Sequence, residues 1–200
     1  MNEIEMFERR IGGRWTGVSF HRKTPSGTKM ADRSMYFCEA VKVSSTHAIT
    51  LTRGDLNCSG ARRSFGWNAN GDSAFVDQLI SRNGFSPLSA ATLIRKTPKI
   101  EDEKITAITV GTYEAPDIVI SYLQPEHAMR FMLLWQERYH TNLDISLSSV
   151  MAVCGSVAAG VYANGNVRCS FGCPESRLHG CIGRDRLVIG VPTKQLKDLL

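Results

Sequence analysis

The sequence predicts a mixed α/β protein (α/β or α+β), and three observations carry that prediction. Short segments with strand-like alternation recur along the chain, separated by segments with helical periodicity. The 200 residues are 42% hydrophobic and 22% charged, which is typical of a globular protein with its own core. Two stretches also share one cysteine pattern. We therefore expect two tandem pseudo-repeated half-domains, packed as one unit with a mixed sheet.

The first elements are a strand and a helix that carries a cysteine. Residues 15–20 (WTGVSF) alternate in the way that a strand requires. Met35, Cys38 and Val41 are spaced three apart, which places them on one helix face. In chain order we expect a strand at 15–20, a loop at 21–29, a helix at 35–45, a strand at 48–52 and a Gly- and Asn-rich loop at 53–72.

Helix-boundary residues define the middle of the chain. Asp72 is a candidate N-cap and Gly84 a candidate helix stop, while Pro125 suits the first position of the clearest helix. We expect helices at 72–84 and 89–96, strands at 104–110 and 117–123, and a helix at 125–140. The core face of this last helix is predicted to carry Ala128, Phe131, Met132 and Trp135.

The last part of the chain repeats the order of helix, strand, loop and strand. The residues with helical spacing from 145 to 162 end at the turn signal Asn164-Gly165. They are followed by an expected strand at 166–171, a loop at 172–181, a strand at 186–191 and a helix at 192–200. The apolar face of the segment 145–162 carries Val150, Cys154, Val157, Ala158 and Val161.

Four of the six cysteines fall into a repeated pattern. Residues 38–62 and 154–177 both open with Cys-x-[Ala/Ser]-Val and close with Cys-x-x-[Ala/Ser]-Arg. We predict one domain over 1–200, with a first half at about 1–140 (insertion 63–104) and a second at about 141–200. A pseudo-twofold axis would bring Cys38 and Cys58 opposite Cys154 and Cys173. Chance similarity of short segments rich in Ser, Ala and Val is the alternative.

A site of four thiolates has a narrow chemistry. Soft sulfur ligands select zinc, Cu(I) or iron–sulfur clusters. Structural zinc sites favour closely spaced cysteine pairs, whereas a cluster accepts ligands that arrive separately from several loops and helix ends. Arg62 and Arg177, each four residues after a repeat cysteine, could offset the cluster charge of about −2 or instead form salt bridges within their own halves. Gly60 and Gly172 could let backbone N–H groups reach the sulfurs.

The two remaining cysteines lack partners in the first half. Cys169 shares a strand face with Val167 and Phe171, which favours a core thiol. Cys181 is a spare thiol or an alternative ligand together with His179. The histidines show no spacing typical of a ligand set, so each is interpreted as a surface or core residue.

Composition also bears on partners and location. The formal net charge is +5, but the basic residues are scattered, so we expect no nucleic-acid partner. No apolar run approaches the roughly 18 residues of a membrane helix, and the charged start (MNEIEMFERR) has no apolar signal segment. We therefore expect a cytoplasmic protein without a membrane partner, in which disulfides are uncommon.

The segments CEAV…LNCSGARRSFGW and CGSV…GNVRCSFGCPESR…DRLVIGVPTKQL resemble the domain of unknown function 169 family. The resemblance extends over nearly the whole chain, from the strand TGVSF to the C-terminus. It implies a cytoplasmic protein of strictly anaerobic metabolism, from a group found mostly in anaerobic archaea and bacteria, and it brings no agreed activity. It also implies that Cys38, Cys58, Cys154 and Cys173 are the recurring cysteines, with Cys169 and Cys181 outside the pattern.

Three functions remain open at this point. The first is an iron–sulfur protein with one [4Fe–4S] cluster on the four repeat cysteines, acting in electron transfer or in cluster or metallocofactor handling with a redox or metalloenzyme partner. The second is a non-redox binding protein with structural zinc or plainly buried cysteines. The third is an enzyme with a cysteine nucleophile and a base such as His179. A homo-oligomer that shares a cluster between chains is also compatible with the sequence.

Overall fold

The computed structural model describes residues 2–44, 47–67, 71–102, 104–111 and 114–200. These residues form a six-stranded sheet with helices packed on both faces, which confirms the mixed α/β class. Parts of three predicted segments lie outside the described residues, namely the helix at 35–45, the loop at 53–72 and the insertion at 63–104.

The sheet has the strand order β2-β3-β1-β4-β6-β5, and all its strand pairs are antiparallel. This corrects the mixed sheet that we expected. Parallel pairing within the described residues is confined to isolated bridges, such as Met35 with Leu56. The strands are β1 (Trp15–His21), β2 (Ile49–Thr52), β3 (Ala107–Val110), β4 (Ile118–Leu123), β5 (Arg168–Ser170) and β6 (Leu187–Pro192).

The strand order has a regularity of its own. From one edge to the middle it is β2, β3, β1, and from the other edge it is β5, β6, β4. The first strand of each trio therefore lies at the centre, where Gly17 of β1 pairs with Val119 of β4. The tandem repeat itself stays a prediction, as does the division of the chain at residue 140.

Most of the predicted helices are present at or near their expected bounds. Asp72 and Gly84 flank one helix as cap residues, and Pro125 begins another. The helices are α1 (Glu3–Ile11), α2 (Phe37–Val43), α3 (Ser59–Ser64), α4 (Ser73–Asn83), α5 (Pro87–Lys96), α6 (Pro125–Tyr139), α7 (Gly160–Asn164), α8 (Pro174–Leu178) and α9 (Thr193–Leu199), with a 3-10 turn at Arg53–Asp55 and a π-helix at Ala152–Ala159.

Three short helices differ from the sequence expectation. The predicted loops at 53–72 and 172–181 contain α3 and α8, whose Gly and Pro residues suggested loops. Helix α1 was not predicted, although a capping box formed by Asn2 and Glu5 marks its start. The helices α4 and α5 occupy the predicted insertion at 63–104.

Two cores lie on opposite faces of the sheet. One contains the apolar residues of α1, α6 and α9, and the other contains those of α2, α3, the π-helix and α7. Within α6, Ala128 and Phe131 are buried as expected and Trp135 packs at the core margin, but Met132 is 36% exposed and Leu134 is buried in its place. The π-helix lies tightly against β6, because a Cβ on Gly190 would stand 2.5 Å from Cγ1 of Val157.

Candidate functional site

The four repeat cysteines occupy matched positions in the secondary structure. Cys38 lies in the first turn of α2, and Cys154 lies in the first turn of the π-helix. Cys58 and Cys173 are the N-cap residues of α3 and α8. All six cysteines of the chain are free thiols. The pattern read from the sequence therefore corresponds to one buried helical cysteine and one N-cap cysteine in each stretch.

The four thiols lie close enough to influence one another's ionisation. Burial, followed by charge on Cys58 and Cys173, raises the pKa of Cys38. The side-chain interaction with Cys58, followed by burial and by charge on Cys58 and Cys173, raises the pKa of Cys154. The interactions close a ring in the order Cys38, Cys58, Cys154, Cys173. Two of its links join cysteines of the same stretch, and two cross between the stretches. The fold thus brings together the four residues that the sequence pairs.

The strongest interaction in the ring joins the side chains of Cys58 and Cys154. This interaction, supported by the backbone N–H groups of Ala61 and Gly60, lowers the pKa of Cys58 to about 7 despite its desolvation. The same interaction and burial raise the pKa of Cys154 well above its usual value, and the Cys154 thiol donates to the carbonyl of Met151 at 3.7 Å. Of the two thiols, Cys58 is therefore the one that ionises first.

Tyr122 of β4 lies beneath the cysteines. Its hydroxyl donates a hydrogen bond of 2.9 Å to the backbone carbonyl of Cys38. Desolvation, followed by the charges of Cys38, Cys173 and Cys154, raises the pKa of Tyr122 well above its usual value. Burial likewise raises the pKa of Cys38 to about 12. Sequence reasoning missed Tyr122, although alternation along β4 places it on the same face as Ile118 and Ile120.

Close backbone packing holds the cysteine-bearing segments together. A Cβ on Gly180 would lie 2.7 Å from the carbonyl oxygen of Ser176 and 3.0 Å from Cβ of Cys38. This contact sets the segment after α8 against the start of α2. Between α3 and the π-helix, a Cβ on Gly155 would lie 2.9 Å from Oγ of Ser64. Small residues at these two points allow the four thiols to approach.

The predicted supporting residues have mixed outcomes. Gly60 does turn its N–H toward the sulfur of Cys58. Gly172 instead donates its N–H to Ser170 Oγ at 3.0 Å, and its φ of +90° suits glycine. The N–H of Cys173 donates to Oγ of Ser176.

Both predicted arginines bind backbone carbonyls. Nε of Arg62 donates to the carbonyl of Leu56 at 2.7 Å. The guanidinium of Arg177 holds the loop around α8 through several carbonyl oxygens, which belong to Phe171, Ile182, Gly183 and Arg186. These contacts fix the local loops, as the second interpretation of the arginines expected, but through carbonyls in place of carboxylates.

One edge of the cysteine group faces polar residues. Cys58 and Cys173 are half-buried, whereas Cys38 and Cys154 are buried. Glu175 of α8 is near enough to Cys58 for its charge to act against ionisation of that thiol. His179, a candidate base in the third hypothesis, stacks on Tyr36 with ring centroids 3.6 Å apart.

The two cysteines outside the pattern lie elsewhere. Cys169 is buried in β5 within the core of the opposite face, and burial raises its pKa to about 11. Cys181 is exposed, and its thiol approaches only the carbonyls of Leu178 and His179. The division of the six cysteines into four and two therefore holds in three dimensions.

Two further observations concern metals and cavities. Across the described residues, no group of three or more His, Cys, Asp or Glu side chains is arranged to hold a metal ion. A cavity of about 920 Å³ lies away from the cysteines, beside Asp117, Tyr162, Thr193 and Lys194. No cysteine is among the residues that line this cavity.

The fold and site define a class: an α/β protein in which one face of an antiparallel sheet carries four mutually interacting free thiols. A family model described as "Uncharacterised ArCR", for domain of unknown function 169, matches residues 16–200, so the chain belongs to that family. Searches of the curated proteins and of the solved structures found no significant match. None of the helices in the described residues has the length and apolar character needed to cross a membrane.

Proposed function

We propose that the protein binds one [4Fe–4S] cluster through Cys38, Cys58, Cys154 and Cys173, and serves electron transfer or metallocofactor handling in an anaerobic cytoplasm. The observation that supports this most is the ring of interactions among the four thiols. Four soft donors gathered on one sheet face are the ligand set that iron–sulfur clusters use. The bound cluster would supply one-electron redox chemistry.

The chain's own groups suit four thiolates. Cys58 and Cys173 begin helices, where the helix dipole favours negative charge. Gly60 and Ala61 direct N–H groups at one sulfur, and such hydrogen bonds tune the potential of a cluster. Burial of Cys38 and Cys154 would keep water from the inner ligands.

The sequence spacing of the four cysteines favours a cluster over a single zinc ion, because about 20 residues separate the cysteines of each stretch and structural zinc sites favour close pairs. Tetrahedral zinc needs sulfurs about 3.8 Å apart, because each Zn–S bond is about 2.3 Å. A cluster is larger than one ion, so its ligands stand farther apart. Cys58 and Cys154, whose side chains interact directly, would have to separate when a cluster binds.

A redox or metalloenzyme partner would approach the edge formed by Cys58 and Cys173. These are the more exposed of the four thiols, and electron transfer is fastest where a cluster lies nearest the surface.

The contact between Cys58 and Cys154 favours one second candidate, a dithiol/disulfide pair. Cys58 as thiolate would attack a disulfide-bearing substrate, and Cys154 would then displace the mixed disulfide. Two electrons would pass to the substrate, and its two sulfurs would leave as thiols. In this case the protein would carry no iron.

Elemental analysis tests the proposal directly. Protein purified without oxygen should contain about four irons and four acid-labile sulfides per chain, with a brown chromophore that dithionite bleaches. Zinc without sulfide would support a structural metal site in place of a cluster. Metal-free protein that acquires a disulfide between Cys58 and Cys154 would support the second candidate.

A further inference from the structure

The helical hairpin of α4 and α5 is attached to the rest of the protein at few points. Phe75 is the only fully buried residue of α4, and in α5 only Ala90 and Ile94 are buried. The tip of the hairpin exposes Phe85 and leaves Leu88 78% exposed. The two helices pack mainly on each other. A segment with so few buried apolar contacts opens at low free-energy cost.

The base of the hairpin is fixed to α3 by one buried arginine. Arg63 is 3% exposed and forms two hydrogen bonds with the carboxylate of Asp72, the N-cap of α4. It also donates to the carbonyls of Ile94 and Thr97 at the end of α5. Both ends of the hairpin are thus held at one point, about which the hairpin could rotate.

A second, weaker attachment joins α4 to α8. Nε2 of Gln78 donates to Oε1 of Glu175 at 3.2 Å, and a guanidinium nitrogen of Arg82 lies 3.8 Å from the same oxygen. Arg82 is mostly exposed, so this attachment is weak. Glu175 lies in the helix that begins at Cys173, and its charge acts on Cys58. Helix α4 therefore bridges the two helices that begin at the half-buried cysteines.

We propose that the α4–α5 hairpin is a lid over the edge formed by Cys58 and Cys173, held closed by Gln78 and Arg82 on Glu175. Opening about Arg63 exposes this edge to a partner or a small molecule, and closing shields it. The role of the edge in redox exchange rests on the proposed cluster. The lid itself does not, because its contacts are made by Arg63, Gln78 and Arg82 and involve none of the proposed ligands.

The test measures thiol access in metal-free, reduced protein. The neutral reagent iodoacetamide is applied to the wild type, to Gln78→Ala and to Gln78→Ala/Arg82→Ala, and modification of each cysteine is followed by peptide mass spectrometry. The exposed Arg95→Ala variant in α5 is the matched control. We expect Cys58 and Cys173 to react about threefold to tenfold faster in the double variant. Cys181, outside the lid, should keep its rate.

The alternatives give different results. Removal of Arg82 leaves the negative charge of Glu175 less neutralised, and that charge acts against ionisation of Cys58. The charge effect alone would therefore slow alkylation of Cys58. A faster alkylation of Cys58 in the double variant would thus report opening of the lid. Unchanged rates at Cys58 and Cys173 would overturn the lid. An equal increase at the buried Cys169 would also overturn it, by showing general loosening. Since the assay contains no metal, a protein that lacks iron could still have the lid, and the two proposals fail separately.

Discussion

The side chains of Cys58 and Cys154 interact directly, although one belongs to each cysteine-bearing stretch. Their interaction joins the N-terminus of α3 to the first turn of the π-helix. It has the largest effect on the pKa of both cysteines. Any ligand of this site must therefore interact with both stretches, and loss of one cysteine should affect the whole site.

Single cysteine substitutions should separate the six thiols into two groups. Replacement of Cys38, Cys58, Cys154 or Cys173 by Ala removes one of four ligands, so iron per chain should fall at least about fivefold after anoxic purification. Iron and sulfide analysis of each variant is the measurement. Cys181→Ala and Cys169→Ser are the controls and should keep wild-type iron. Iron retained in two or more of the four variants would contradict the ligand assignment.

The stability of metal-free protein should depend on the pH through Cys58. The pKa of Cys58 in the folded protein is about 7, below the ordinary thiol value of about 8.5. Ionised Cys58 therefore contributes to the free energy of unfolding at a pH above about 8.5, and this contribution is lost as the pH falls through about 7. Urea unfolding of wild type and Cys58→Ser, between about pH 6 and pH 8.5, measures this. The free-energy difference between the two should grow with pH. If the difference in the free energy of unfolding does not change with pH, Cys58 does not ionise in this range.

Gly180→Ala should loosen the site without removing a thiol. The added Cβ would meet the carbonyl of Ser176 at 2.7 Å and Cβ of Cys38 at 3.0 Å. We expect a loss of about 1–3 kcal/mol in the free energy of unfolding, together with reduced iron. Gly54→Ala is the matched control, since its nearest neighbour would be Oγ1 of Thr52 at 3.9 Å. Equal behaviour of the two variants would argue against close packing at Gly180.

Arg63→Ala should release the base of the hairpin. The change removes the donor to the buried carbonyl of Thr97, one of the two donors to the carbonyl of Ile94, and the partner of Asp72. We expect a loss of about 2–4 kcal/mol in the free energy of unfolding, measured in urea. The same change at the exposed Arg95 should cost less than about 0.5 kcal/mol. A small effect at Arg63 would mean that the hairpin is held mainly elsewhere.

Much of the fold was predictable because its signals are local. Alternation identified β1, and the pair Asp72 and Gly84 bounded α4. The short α3 and α8 were missed because six or five residues hold little periodicity and their Gly and Pro residues resemble those of loops. The exposure of Met132 and the π-helical geometry around Cys154 depend on tertiary packing, which periodicity alone does not contain.

The sequence predicts which four cysteines interact better than it predicts their surroundings. The repeated spacing singles out four cysteines, and in the fold these four influence one another's ionisation. Their role as ligands stays a prediction. The roles of Tyr122 and Glu175 depend on which strands and helices become neighbours, and no spacing in the sequence encodes that. The role of Arg62 and Arg177 at the site stays a prediction, and their carbonyl partners are set by loop conformation.

Native mass spectrometry of the anoxically purified protein tests the central claim most directly, because it weighs what one chain binds. The account predicts a single bound species with the mass of four irons and four sulfides per chain, and its absence from Cys154→Ala. A chain that carries only zinc, or that has no added mass and four freely alkylated thiols, would contradict the cluster.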